Sequence, residues 1–138
     1  MKNLQITAYM QHFIRQQVMP GDICIDATMG NGNDTALLSQ LAGKRGRVLA
    51  FDIQKQALEH TKERLKRDNC PENYQLLLES HENMDVYAEE ETVSCITFNL
   101  GYLPGGDHSV ATRADSSIRA VESGLKLPKK GGLMTLCI

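Results

Sequence analysis

Five short apolar runs, separated by segments of helical periodicity, constrain this chain more than any other feature. Ile23-Cys24-Ile25, Val48-Leu49-Ala50-Phe51, Tyr74 to Leu78, Val93 to Leu100 and Leu133 to Ile138 read as strands. Leu37, Leu38 and Leu41 mark a helix for which Gly43 is a suitable C-cap. Ala57, Leu58, Thr61 and Leu65 mark a helix with a highly charged outer face, and Ile118, Val121 and Leu125 mark another. Ahead of the first strand, Met10, Phe13, Ile14 and Val18 predict a helix from Thr7 to Val18, ended by Pro20-Gly21. A short helix is predicted over Met84–Glu91. Strands alternating with helices imply βαβ units. The expected fold is therefore α/β, a Rossmann-like doubly wound parallel sheet of strand order 3-2-1-4-5 with right-handed crossovers. Ligands of such sheets bind beyond the carboxyl ends of the strands, near the switch point. The loops after Ile25, Phe51, Leu78 and Phe98 are the ones to inspect.

The chain has 138 residues, enough for a single domain over 1–138. Its charged fraction of 23% argues against disorder, and its net charge of −2 gives no electrostatic footprint for nucleic acid. Four widely spaced cysteines form no C-x-x-C pair and read as reduced thiols, three of them inside strand-like runs. No metal-ligand spacing is present. No signal peptide follows Met1 and no apolar run approaches about 18 residues, so a cytoplasmic protein without a membrane partner is expected.

The first loop, Asp26-Ala27-Thr28-Met29-Gly30-Asn31-Gly32-Asn33-Asp34-Thr35, follows a strand and opens a helix. Glycines let a backbone approach a ligand, and the helix start offers unpaired N–H groups. Alone, this G-x-G fits a tight strand-to-helix turn equally well. Asp52 strengthens the ligand reading: it ends the second strand, where a carboxylate can accept from both ribose hydroxyls. Charge separates the candidate ligands. A dinucleotide would lay its pyrophosphate between Asp26 and Asp34, which repel it. S-adenosylmethionine carries a sulfonium and an ammonium, which acids favour, each by about 1–4 kcal/mol. The expected cofactor is S-adenosylmethionine, held by Asp26, Thr28, Gly30, Asn31, Gly32, Asn33, Asp34, Thr35, Asp52, Ile53, Gln54 and Asn99, with Ser80 and His81 beside the adenine.

After the fourth strand comes Phe98-Asn99-Leu100-Gly101-Tyr102-Leu103-Pro104-Gly105-Gly106-Asp107-His108, across the switch point from the glycine loop. Asn99 can accept from a nucleophilic N–H and aim the nitrogen lone pair at the methyl carbon. Tyr102 can stack on a base, and Asp107 or His108 can take the proton an amine must lose. Asn99, Tyr102 and Asp107 are therefore the candidate catalytic residues. A structural Pro-Gly turn with solvated acids is the plainer alternative.

Together, Asp-Ala-Thr-Met-Gly-Asn-Gly-Asn-Asp-Thr at 26–35 and Phe-Asn-Leu-Gly-Tyr-Leu-Pro-Gly-Gly-Asp at 98–107 resemble the small bacterial class I methyltransferases labelled putative rRNA methylases. The resemblance runs along essentially the whole chain, and the second motif is the more specific. It implies N-methylation of the 5-aminomethyl group of the wobble (2-thio)uridine of tRNA. Residue by residue, Asp26, Gly30, Gly32, Asn33, Asp34, Thr35 and Asp52 fall on the cofactor side. Asn99, Gly101, Tyr102, Pro104 and Asp107 fall on the substrate side, and Thr112 matches a family threonine. The family continues past the fifth strand, so a C-terminal truncation lacking the last two strands is expected. With it comes self-association, for instance as a homodimer, or poor order along the exposed strand edge. A small-molecule N- or O-methyltransferase and a non-catalytic cofactor-binding fragment are the alternatives, to be separated by a basic surface near Asn99.

Overall fold

In a computed structural model, residues 2–100 and 108–137 are described, with side chains over 6–100 and 116–137. The elements run α1 (Lys2–Gln17), β1 (Ile23–Asp26), α2 (Asn33–Ala42), β2 (Arg47–Asp52), α3 (Lys55–Arg67), β3 (Tyr74–Leu78), a 3₁₀ helix (His81–Val86), β4 (Val93–Asn99), α4 (His108–Gly124) and β5 (Pro128–Cys137). The strands form one sheet of order β3-β2-β1-β4-β5 in which every pairing is parallel, as the alternation predicts.

Parallel strands bury both faces, so β1, β2 and β4 are almost continuously buried. Their alternate residues serve two layers. On one face Ile14 and Val18 of α1 and Leu37, Leu38 and Ala42 of α2 pack on Cys24, Val48 and Cys95, while Ala57 of α3 packs with Ala50. On the other, Met84 and Ala120 close over Ile25, Leu49, Phe51, Ile96 and Phe98. Burying each large side chain contributes about 1.5–3 kcal/mol. Cys24 and Cys95 stand opposite one another in the central pairing, both buried and unbridged.

Five elements have boundaries other than those the sequence implies. The first helix begins at Lys2, ahead of any apolar stripe. β5 begins at Pro128 and crosses Lys129-Lys130-Gly131-Gly132, with a register shift opposite Val93–Cys95, before reaching the apolar run. The predicted helix over Met84–Glu91 is instead a 3₁₀ helix three residues earlier, because Ser80 takes the cap and its hydroxyl accepts from the Glu82 N–H. β1 and β2 each extend to include their terminal aspartate.

Candidate functional site

The order of the sheet reverses between β1 and β4, and a cleft of about 350 Å³ opens there, above the carboxyl ends of the strands. That volume lies at the lower end of small-molecule sites. Thr28, Gly30, Asp52, Ile53, Gln54, Ser80, His81 and Asn99 line it together. Asp26, Asn31, Gly32, Asn33, Asp34 and Thr35 are not on its wall.

The glycine loop owes its path to close packing. Gly32 sits at φ +85°, and a Cβ there would lie 2.9 Å from the Thr61 Cα. Only glycine allows the loop to rest on α3 in this way. The Thr61 hydroxyl donates to the Gly30 carbonyl at 3.2 Å. The Asn33 amide oxygen accepts from Arg64 of α3.

Asp26 lies beneath this loop, fully buried. One oxygen accepts the Thr28 N–H at 3.1 Å and the other the Thr35 hydroxyl at 2.6 Å. Burial, reinforced by the nearby Asp34, pushes its carboxyl up to about 7, and the hydrogen bonds from Thr35 and Thr28 pull it back only in part. From sequence, Asp26 reads as a fixed negative charge facing the ligand. The structure makes it a brace of the loop, partly protonated near neutral pH. Asp34 is also pushed up by burial.

Asp52 differs in its surroundings. Its oxygens accept the Gly30 N–H at 3.2 Å and the Gln54 N–H at 2.9 Å. Each oxygen keeps a second lone pair, and the half-buried side chain lines the cleft. A rim carboxylate with free acceptor capacity suits a vicinal diol.

On the third side, the His81 Nδ1 lies 3.1 Å from the Ala27 carbonyl oxygen. A carbonyl only accepts, so Nδ1 carries the hydrogen and Nε2 is left as an acceptor. Burial holds the imidazole below its ordinary value, so it is neutral at pH 7. Its ring packs 5.9 Å from that of Phe98. Glu79 is a wall residue that the sequence reading passed over, although it follows β3 as an acid, as Asp52 closes β2. It accepts from Ser80 N–H, Asn83 and Tyr87, and the Asn83 bond first among these holds its carboxyl low. Ser116 and Ser117 of α4 also reach the wall. Nothing local in sequence marks them; the fold brings α4 back over the cleft, where Arg119 pairs with Glu82 at 3.2 Å.

Gly101, Tyr102, Pro104 and Asp107 lie outside the described residues, as do the side chains of His108 and Thr112. Among the described residues, no helix is long and apolar enough to cross a membrane.

A parallel 3-2-1-4-5 sheet with a glycine loop, a rim carboxylate and a cleft at the switch point defines the class: this is the fold of class I methyltransferases. Within it, the chain belongs to the family described as "Putative rRNA methylase", whose model it matches over residues 48–138. It is 37% identical over 140 residues to the chloroplastic tRNA (mnm(5)s(2)U34)-methyltransferase of Arabidopsis thaliana, an alignment covering 92% of this chain. The chain spans 50% of that curated relative's length. A crystal structure of a putative rRNA methylase from Clostridium thermocellum superposes with a TM-score of 0.82 at 41% identity, over 93% of this chain and 68% of that one. The putative methyltransferase SMU.1697c from Streptococcus mutans, solved in complex with SAH, gives 0.77 at 39% identity, over 93% and 70%.

Proposed function

We propose that this chain is the S-adenosylmethionine-binding part of an RNA methyltransferase, and that its target is the 5-aminomethyl nitrogen of a wobble uridine in tRNA. The observation that carries the cofactor reading is Asp52: a carboxylate at the cleft rim, oriented by two backbone N–H groups and with acceptor capacity left for a ribose diol. Gly30 and Thr28 would line the amino-acid end, and Ile53, Gln54, Ser80 and neutral His81 the adenine end. S-adenosylmethionine, when bound, supplies a methyl group made electrophilic by its sulfonium. The protein's own part is to align a nitrogen lone pair and accept its proton. Asn99, at the end of β4 and on the cleft wall, would orient such a nitrogen. Tyr102 and Asp107 complete this reading as base-stacking residue and proton acceptor.

The tRNA substrate is supported by the Arabidopsis relative and by the match of the family motif at 98–107. Mass analysis of tRNA nucleosides from a strain lacking the protein should show the primary amine in place of its N-methyl product. Unchanged nucleosides would sink the substrate assignment. Pairing of two copies belongs to the same reading, supported by the edge position of β5 and its exposed Leu136. Light scattering showing only monomers would remove it.

A further inference from the structure

We propose that Thr28 is a positioning residue that locks the end of β4, and with it Asn99, to the cofactor loop through its hydroxyl. The inference deepens the methyltransferase reading above and rests on it for the identity of the two sides being joined.

The starting point is an interrupted ladder. In a parallel pair, a residue donates its N–H to one partner and accepts with its C=O from the partner two positions on. Ala27 makes the first of these bonds, donating to the Thr97 carbonyl at 2.8 Å. The second would run from the Asn99 N–H to the Ala27 carbonyl. Instead, the Asn99 N–H donates to the Thr28 hydroxyl oxygen at 2.6 Å. The Ala27 carbonyl accepts from His81.

One backbone rung has thus been replaced by a side chain, and the released carbonyl has been given to the adenine-side loop. Thr28 is tied in both directions. Its N–H is held by buried Asp26 and its hydroxyl holds Asn99, across 71 positions of sequence. A backbone rung would fix Asn99 to Ala27, the residue that directly continues β1. A threonine fixes it to the loop that lines the cofactor cleft, so the geometry of that loop sets where the Asn99 backbone, and hence its side chain, is presented.

Thr28→Val keeps the branched shape and removes the acceptor; Thr28→Ser keeps the acceptor. Two measurements decide. In the first, amide hydrogen exchange at Asn99 is followed in the protein saturated with S-adenosylhomocysteine. Thr28→Val should exchange about fivefold faster and Thr28→Ser should not, since a hydrogen bond is worth about 1 kcal/mol. Exchange in Thr28→Val as slow as in the wild type would overturn the proposal. In the second, methyl transfer is assayed with tRNA bearing 5-aminomethyluridine. Thr28→Val should lower kcat about tenfold or more, a larger factor than any rise in KM for S-adenosylmethionine from the altered cleft wall, and serine should restore the rate. A rise in KM matching the fall in kcat would overturn the positioning role and leave Thr28 a cofactor contact. If the wild type itself ignores that tRNA, the substrate reading fails, and the exchange measurement still decides the link.

Discussion

Asp26 closes β1 and Asp52 closes β2, two identical side chains at the carboxyl edge of neighbouring strands. Asp26 is sealed under the glycine loop, takes its hydrogen bonds from within that loop, and is pushed up to about 7. Asp52 stands half-buried on the cleft wall with spare lone pairs. The difference follows from where the chain goes next. After Asp26 the backbone folds back over the carboxylate, because Thr28 and Thr35 both return to it. After Asp52 the chain enters exposed Ile53 and Gln54 and leaves the acid facing open space. Chemistry alone does not assign a strand-end acid its role; the path of the next residues does.

Removing the buried partner should show the contrast most strongly. Asp26→Ala leaves two donors under the loop without acceptors, at about 1–3 kcal/mol each. A stability loss of about 2–5 kcal/mol is expected in urea melts. A loss below about 1 kcal/mol would mean that the loop does not depend on this brace. Asp52→Ala should do the opposite: stability nearly unchanged, and affinity for S-adenosylhomocysteine weaker by about 1–3 kcal/mol in calorimetry. Equal affinity in that variant would remove Asp52 from the ribose role and erase the comparison.

The finest test is pH. Asp26 is protonated in the native state over a range where the unfolded chain, near 3.8, has already ionised. Ionising it therefore opposes folding, so its contribution to stability falls as pH rises from about 4 to about 7 and is flat above. Relative to Asp26→Asn, which cannot titrate there, the wild type should lose about 1 kcal/mol of stability between pH 6 and 8. A difference that is constant with pH, or that grows the other way, would show Asp26 to be ionised in the fold.

The sheet order was legible because the apolar runs of β1, β2 and β4 are buried on both faces and the helices between them carry clean stripes, with Ala57, Thr61 and Leu65 all buried as their spacing implied. The ends that escaped notice have no such signal. Lys129-Lys130-Gly131-Gly132 is carried within the strand as an irregularity between the pairs Val93–Pro128 and Cys95–Leu133, which its own residues do not announce. At the site, Asp52, Ser80 and His81 could be located from their places after strands, since loops at that edge must face the switch point. The burial of Asp26 could not, because it depends on Thr35, nine positions away, turning its hydroxyl back. Nor could the Thr28–Asn99 bond, because it depends on a hydroxyl taking the place of a backbone rung between strands whose adjacency alone would predict the rung.

The facing thiols of Cys24 and Cys95 give the sheet an internal clock. Burial pushes both well above the ordinary range of a thiol, so the reactive thiolate scarcely forms while β1 and β4 stay paired. Cys70 and Cys137 are only half-buried. An alkylating reagent would mark those two first, and would reach the central pair only when the layer of α1 and α2 lifts from the sheet. The lag between the two modifications times how often that helical layer opens, without any probe being added to it.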